Sequence, residues 1–259
     1  MTTAHILLLG ALAGGTIFLG LPIARIRNMP RTLQGFLNAI ATGILFFLLF
    51  DVLSNATEPV NAALDQVRTH HASAGPFAAD VIFLIVGLAV GLLALVAFER
   101  RFLRRDGEAG PAGTTLGYMI ASGIGMHNFS EGLAIGQSAA TGAIQLAALL
   151  IIGFGLHNMT EGFGISAPLG GNVSWSFIGL AGLIAGGPTF IGTIVGMAFR
   201  SEIVFILFLA LAAGSIIYVL SQLLPLVRRQ QAQQLVMAGL VVGFSVAYGT
   251  DLVLLAAGA

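Results

Sequence analysis

Gly123-Ile124-Gly125-Met126-His127-Asn128-Phe129-Ser130-Glu131-Gly132 and, thirty residues on, Gly153-Phe154-Gly155-Leu156-His157-Asn158-Met159-Thr160-Glu161-Gly162 decide how this chain reads. Each stretch carries His-Asn-x-Ser/Thr-Glu-Gly behind a Gly-x-Gly lead, inside an apolar run long enough to cross a bilayer. On a helix, His at i and Glu at i+4 fall about 40° apart on one face, with Asn at i+1 flanking the Glu. A charged group at bilayer depth costs at least ~2.5–3.5 kcal/mol, so it needs a partner or a purpose. Two copies of His plus Glu, facing one another, supply four nitrogen and oxygen donors. That is the inventory of a metal site.

The rest of the composition fits a chain that lives in lipid. Hydrophobic residues make up 57% and charged residues 8%, with mean hydropathy +0.96, against about 25% charged in soluble domains. The missing period-2 alternation excludes a β-barrel and leaves an all-α polytopic protein. All eleven basic residues are Arg, balanced by eleven acids. No basic patch points to nucleic acid, and the absence of Cys removes thiolate metal sites and Cys nucleophiles. The stretch before the first apolar run has no positive charge, so it reads as a retained helix with its N-terminus outside rather than a cleaved signal peptide.

Eight spans are expected within a single domain covering residues 1–259. The first runs from about His5 to Ala24 and the second from Thr32 to Leu53, the latter holding Asp51. A polar connection from Ser54 to Pro76 follows, with the pair His70-His71, then a third helix from Ala78 to Phe98 and an Arg-rich segment from Glu99 to Glu108. The fourth and fifth helices, about Thr114 to Ala139 and Ala143 to Pro168, hold the two motifs and form the central metal-binding hairpin around Thr141-Gly142. Twelve to fifteen residues separate each motif from that turn, placing both ~18–22 Å below it, near mid-bilayer. The sixth helix, Ser174 to Ala198, is expected to break at Gly186-Gly187-Pro188; the seventh and eighth cover about Glu202 to Leu226 and Gln233 to Leu255. Arg25, 27, 31, 100, 101, 104, 105, 228 and 229 then share one side, which the positive-inside rule makes cytoplasmic, with both termini outside.

Hydrogen bonding between packed helices would also explain a buried His or Glu, but structure alone has no need to repeat four costly groups in register. The flanking Gly132-x-x-x-Gly136 and Gly162-x-x-x-Ser166 patterns are better read as close-packing faces. Asp51 either lines a polar path or pairs with a neighbour's hydroxyl, Asp251 is interfacial, and Trp175 and Tyr118 are interfacial anchors.

The paired His-Asn-x-Ser/Thr-Glu-Gly stretches resemble the metal-binding signatures of the ZIP (Zrt/Irt-like) divalent metal transporters. Gly43 to Asp51 is similar to that family's second helix, and Gly214 to Val219 to its seventh. The resemblance implies a carrier in the plasma membrane, commonly dimeric, for zinc or a similar metal, with three-helix repeats flanking helices 4 and 5. The donors would be His127, Glu131, His157 and Glu161, with Asn128 and Asn158 as weak or supporting ligands. Zn²⁺ or another divalent transition metal is the substrate, and no other cofactor is expected. Without sulfur, the set suits Zn²⁺, Mn²⁺, Fe²⁺ or Co²⁺ and argues against Cu⁺. Where the family usually has Pro before the Glu, this chain has Ser130 and Thr160. Gly187 stands where many members carry an acid before Pro188, and Gln222 stands at an often acidic position. One tight site per protomer is therefore expected, since two divalent ions ~4 Å apart repel by roughly 17 kcal/mol at an effective ε of about 20. The rival readings are an intramembrane metal-dependent hydrolase, which lacks a His-Glu-x-x-His motif, and a structural metal- or haem-binding bundle, in which the glutamates have no task.

Overall fold

The computed structural model describes residues 2–26, 30–103, 113–140, 144–169, 173–198, 201–228 and 232–256, without the side chains at 102–103, 144–150, 152–153, 156–157, 226 and 254–255. All secondary structure among these is helical. α1 spans Thr3–Arg25, as an α-helix that passes at Thr16 into a short second turn and a 3₁₀ end containing Pro22. α2 is Arg31–His70, α3 Ala74–Phe98, α4 Thr114–Ala140, α5 Ile144–Ser166, α6 Trp175–Ala198, α7 Glu202–Arg228 and α8 Gln233–Ala256. Six of these eight are long and apolar enough to cross a membrane. The other two, α4 and α5, carry the His, Asn, Ser, Thr and Glu of the motifs. In lipid every backbone group must be satisfied within the chain, which is why a spanning architecture of this composition is all helix.

The polar connection expected from Ser54 to Pro76 is a correction. α2 continues through Pro59 to His70, giving 40 residues, or ~60 Å against a hydrocarbon core of about 30 Å. A fall in hydropathy marks where the chain leaves the bilayer, not where the helix stops. Ala56, Glu58, Ala62, Ala63, Leu64 and Gln66 all favour helix. Pro59 forfeits one backbone bond, at a level where Asn55 is exposed to solvent. The helix ends at His71, whose left-handed backbone (φ 51°, ψ 33°) turns its N–H back to the Gln66 carbonyl.

The break expected in the sixth helix is also absent: α6 runs unbroken through Gly186-Gly187-Pro188. Pro188 offers no N–H to the Ile184 carbonyl. That carbonyl lies instead against Gly125 of α4, while Gly186 lies against the Gly14 backbone of α1. Neighbouring helices hold the segment straight. α4 and α5 likewise run through Ser130 and Thr160 without interruption. The Thr141-Gly142 turn and the Arg104 to Glu108 part of the charged segment lie outside the described residues.

The helices pack as two groups. α1, α4, α5 and α6 form one, with α4 against α6 the most extensive contact; α2, α3, α7 and α8 form the other. Small residues explain the pairing. A Cβ on Gly132, Gly136, Gly192 or Gly196 would meet backbone across the α4–α6 seam. Gly20 and Gly162 serve α1–α5 in the same way, Gly91 and Gly214 serve α3–α7, and Gly43 and Gly243 serve α2–α8. Between the groups the contact is made by side chains, as where Gly123 of α4 faces Ser215 of α7 or Phe129 meets Phe208 with ring centroids 4.3 Å apart. Ser174 and Ser201 cap α6 and α7 by accepting from the backbone N–H groups of Phe177 (3.0 Å) and Val204 (3.3 Å). Arg25 ties the end of α1 to the start of α6, donating to the Val173 carbonyl at 2.7 Å and stacking over Trp175 at 4.5 Å.

Candidate metal site

Each α-helical turn of α4 and α5 that carries a motif faces the middle of the α1–α4–α5–α6 group. His127 and Glu131 are one turn apart on α4, and the imidazole Nε2 lies 3.3 Å from Glu131 Oε1. Both are buried, as are Asn128, Asn158 and Glu161, the last three with no exposed surface at all. A second constellation centres on Asn128. Its Nδ2 donates to Asn158 Oδ1 at 2.5 Å, Glu161 Oε2 at 2.9 Å and the Ala185 carbonyl of α6 at 3.0 Å. An amide nitrogen has two protons, so three acceptors crowd two donors. Asn158 in turn donates to the Ala13 carbonyl of α1 at 3.2 Å. All four helices of the group therefore contribute an atom.

Five of the six residues singled out from the sequence thus come together, as a His127–Glu131 pair and an Asn128–Asn158–Glu161 cluster. His157 is helical, but its side chain lies outside those described. Among the described residues no three His, Asp or Glu side chains are close enough together to enclose an ion. Polar atoms remain, however, that the protein leaves without hydrogen-bond partners among the described residues: Glu131 Oε2, Asn128 Oδ1, Ser130 Oγ and Thr189 Oγ1. Each would cost about 1–3 kcal/mol if left that way. A buried carboxylate oxygen and an amide oxygen beside an imidazole suit a divalent transition metal, which takes such N and O donors.

Nothing in the sequence places Asp51 beside Glu131, yet its charge and those of His127, Glu131 and Glu161 interact, as do those of Asp51 and Asp251. Asn55 donates to Asp51 Oδ1 at 2.9 Å, so the neighbour that pairs with this acid is an amide rather than the hydroxyl expected. The backbone oxygens of Ala13 and Ala185 were not foreseen. Gly14-Gly15 was the available signal, because the helix ends there and the Ala13 carbonyl, which accepts from the Thr16 N–H at 3.4 Å and the Thr16 hydroxyl at 2.7 Å, is shared with Asn158. Gly187 lies two residues, hence about 160°, around α6 from Ala185. Nothing stands within 4 Å of where its Cβ would be, so the acid missing before Pro188 would start from the open side of that helix.

Residues 103–250 match the family described as Zip, ZIP zinc transporter. No curated protein matches the chain significantly. The matched segment covers more than half of the 259 residues and contains both motifs. The chain belongs to the ZIP zinc transporter family.

Proposed function

We propose that this protein carries a divalent transition metal, zinc or a chemically similar ion, across the plasma membrane into the cytoplasm, through a mid-membrane site on α4 and α5. His127, Glu131, His157 and Glu161 would be the ligands. Asn128 and Asn158 would be weak or supporting donors. The observation that carries the reading is the buried oxygen on the two motif helices: Glu131 Oε2 has no partner among the described residues, and three oxygens crowd the Asn128 amide. That amide stands where a positive centre would be welcome. A cation arriving beside it releases Glu161 to join His127 and Glu131, and two carboxylates neutralise its charge. The protein is read as a transporter and not an enzyme, because His127, Asn128, Glu131, Asn158 and Glu161 are buried donors suited to holding an ion.

Reconstitution into liposomes tests this directly. Zn²⁺, Mn²⁺, Fe²⁺ and Co²⁺ should be taken up in a saturable manner while Cu⁺ is not, and metal analysis of the purified protein should find one tightly held ion per protomer. No flux for any of the divalent ions would refute the reading. Two ions bridged by Glu131 and Glu161 at full occupancy would refute the stoichiometry and assign Asp51 a ligand role.

Topology is open to a separate check. With no native Cys, a single introduced thiol can be labelled without background. Ala62→Cys, on the outer part of α2, should react with an impermeant maleimide in intact cells, and Gly107→Cys, outside the described residues, should not. The opposite pattern would invert the orientation, placing both termini inside.

A further inference from the structure

α1 is interrupted at Thr16, where its first α-helical stretch ends behind Gly14-Gly15. The Thr16 hydroxyl lies against two carbonyl oxygens, that of Ala13 in the same helix at 2.7 Å and that of Gly155 in α5 at 2.5 Å. We propose that Thr16 is a positioning residue for the metal site. Its hydroxyl holds the Ala13 carbonyl and the motif turn of α5 so that the Asn158 and Asn128 amides leave Glu161 free for the ion. The proposal rests on the transport reading above.

The bond to Ala13 is of a common kind, since Ser and Thr in helices often bond back to a carbonyl three or four residues earlier. Thr42, Ser122 and Thr193 do so here. The bond to Gly155 is different. It crosses to another helix, 139 residues on in sequence, and lands two residues ahead of His157 and three ahead of Asn158. A hydroxyl has a single proton, so the two carbonyls share it and are held together around it.

The Ala13 carbonyl is also where the amide chain of the site begins. It accepts from the Asn158 amide nitrogen at 3.2 Å. The two ends of an asparagine amide are alike in shape and opposite in hydrogen-bonding character. With its nitrogen on Ala13, Asn158 presents its oxygen to Asn128, whose Nδ2 donates to it at 2.5 Å. A turned Asn158 would set one NH₂ group against another. The Asn128 nitrogen has two protons and three acceptors: Asn158 Oδ1, the Ala185 carbonyl and Glu161 Oε2. While the first two are firm, Glu161 is the acceptor that can be given up to a cation. Once Asn158 is loosened, Asn128 needs Glu161 as its second acceptor, and the carboxylate stays with the amide. Thr16 thus acts through the amides and not on the ion.

A second hydroxyl separates positioning from mere attachment. Ser166 of α5 donates to the Gly20 carbonyl of α1 at 3.1 Å, past the motif rather than ahead of it. Gly20 and Gly162 bring the two backbones together beside that bond. These contacts hold the α1–α5 seam whether or not the Thr16 bond is present.

The test removes the hydroxyl and then restores it. Thr16→Val keeps the branched shape without the hydroxyl, and Thr16→Ser keeps the hydroxyl. In liposomes Thr16→Val should raise the KM for Zn²⁺ about tenfold, the effect of one hydrogen bond, with melting in detergent close to wild type. Thr16→Ser should stay within about twofold of the wild-type KM, as should Ser166→Ala. Thr16→Ala, which puts no methyl group in the place of the hydroxyl, should match Thr16→Val and replaces it if that variant folds poorly. Equilibrium Zn²⁺ binding to the purified protein then supplies a double-mutant cycle. In an Asn158→Ala background Asn128 already depends on Glu161, so adding Thr16→Val should weaken binding less than about twofold. A tenfold loss in that background, an unchanged KM in Thr16→Val and Thr16→Ala, or an equal rise in Thr16→Ser or Ser166→Ala would overturn the proposal. Absence of wild-type flux, or full flux in Glu131→Ala, would instead sink the transport reading, so the two failures are distinguishable.

Discussion

Glu131→Ala and Glu161→Ala are each expected to abolish metal uptake while the protein still inserts and folds. A carboxylate and a divalent ion ~4 Å apart attract by roughly 8 kcal/mol at an effective ε of about 20. Losing even half of that lowers affinity by about a thousandfold. Folding is spared for a reason visible in the contacts. Without Glu161, the Asn128 amide keeps Asn158 Oδ1 and the Ala185 carbonyl as acceptors, which match its two protons. Without Glu131, His127 loses the carboxylate 3.3 Å from its Nε2, but a buried oxygen that has no partner among the described residues disappears with it. Uptake into liposomes, read beside gel filtration and helical content of the same preparations, separates transport from folding. Wild-type uptake by either variant would remove these residues from the site.

Gly132→Val should have the opposite profile: little folded protein at all. A Cβ at Gly132 would run into the Thr189 carbonyl, and reciprocally Gly192 of α6 lies against the Phe129 carbonyl of α4. Both obstacles are backbone, so no rotamer change relieves them, and the two helices must part. With them go the Asn128 bond to Ala185 and the seats that Gly125 and Gly196 provide. Overpacking of this kind costs about 3 kcal/mol or more. Gly179→Ala, on α6 where nothing stands within 4 Å of the added Cβ, is the matched control and should melt like wild type in detergent. Equal melting of Gly132→Val and wild type would show that the α4–α6 seam can open, against the packing described above.

How much of this was legible in the sequence varies with the physics involved. The register of the two motifs was readable because helix rise is constant, so equal spacing from a shared turn puts Asn128 and Asn158 at one depth, where they bond. The small-residue faces were readable for a similar reason: Gly132, Gly136 and Gly162 approach backbone, and the Ser166 hydroxyl donates to the Gly20 carbonyl at 3.1 Å. What the sequence did not give is which helix each face meets. Nothing local assigns Gly132 to α6 and Gly162 to α1. The carbonyls of Ala13 and Ala185 were invisible for the same cause, since every residue has one and only the packing decides which are turned to the site. The extent of α2 was misread because the polarity after Leu53 was taken as the helix end, and the continuity of α6 because Gly186-Gly187-Pro188 was weighed as a local break. Pro59 stands where Asn55 is exposed, and Pro188 where the Ile184 carbonyl lies against Gly125.

The length of α2 has a practical consequence for imaging. From Ser54 to His70 it projects on the order of 25 Å beyond its apolar part as uninterrupted helix. A small protein inside a detergent micelle offers few features by which single particles can be aligned. A rod that leaves the micelle without a hinge can transmit the orientation of the buried bundle to whatever is joined to its tip. The left-handed backbone at His71 is what stops the rod. Substituting His71 with alanine and splicing a helical fusion partner in register there would place a rigid alignment marker outside the membrane, leaving α4 and α5 untouched.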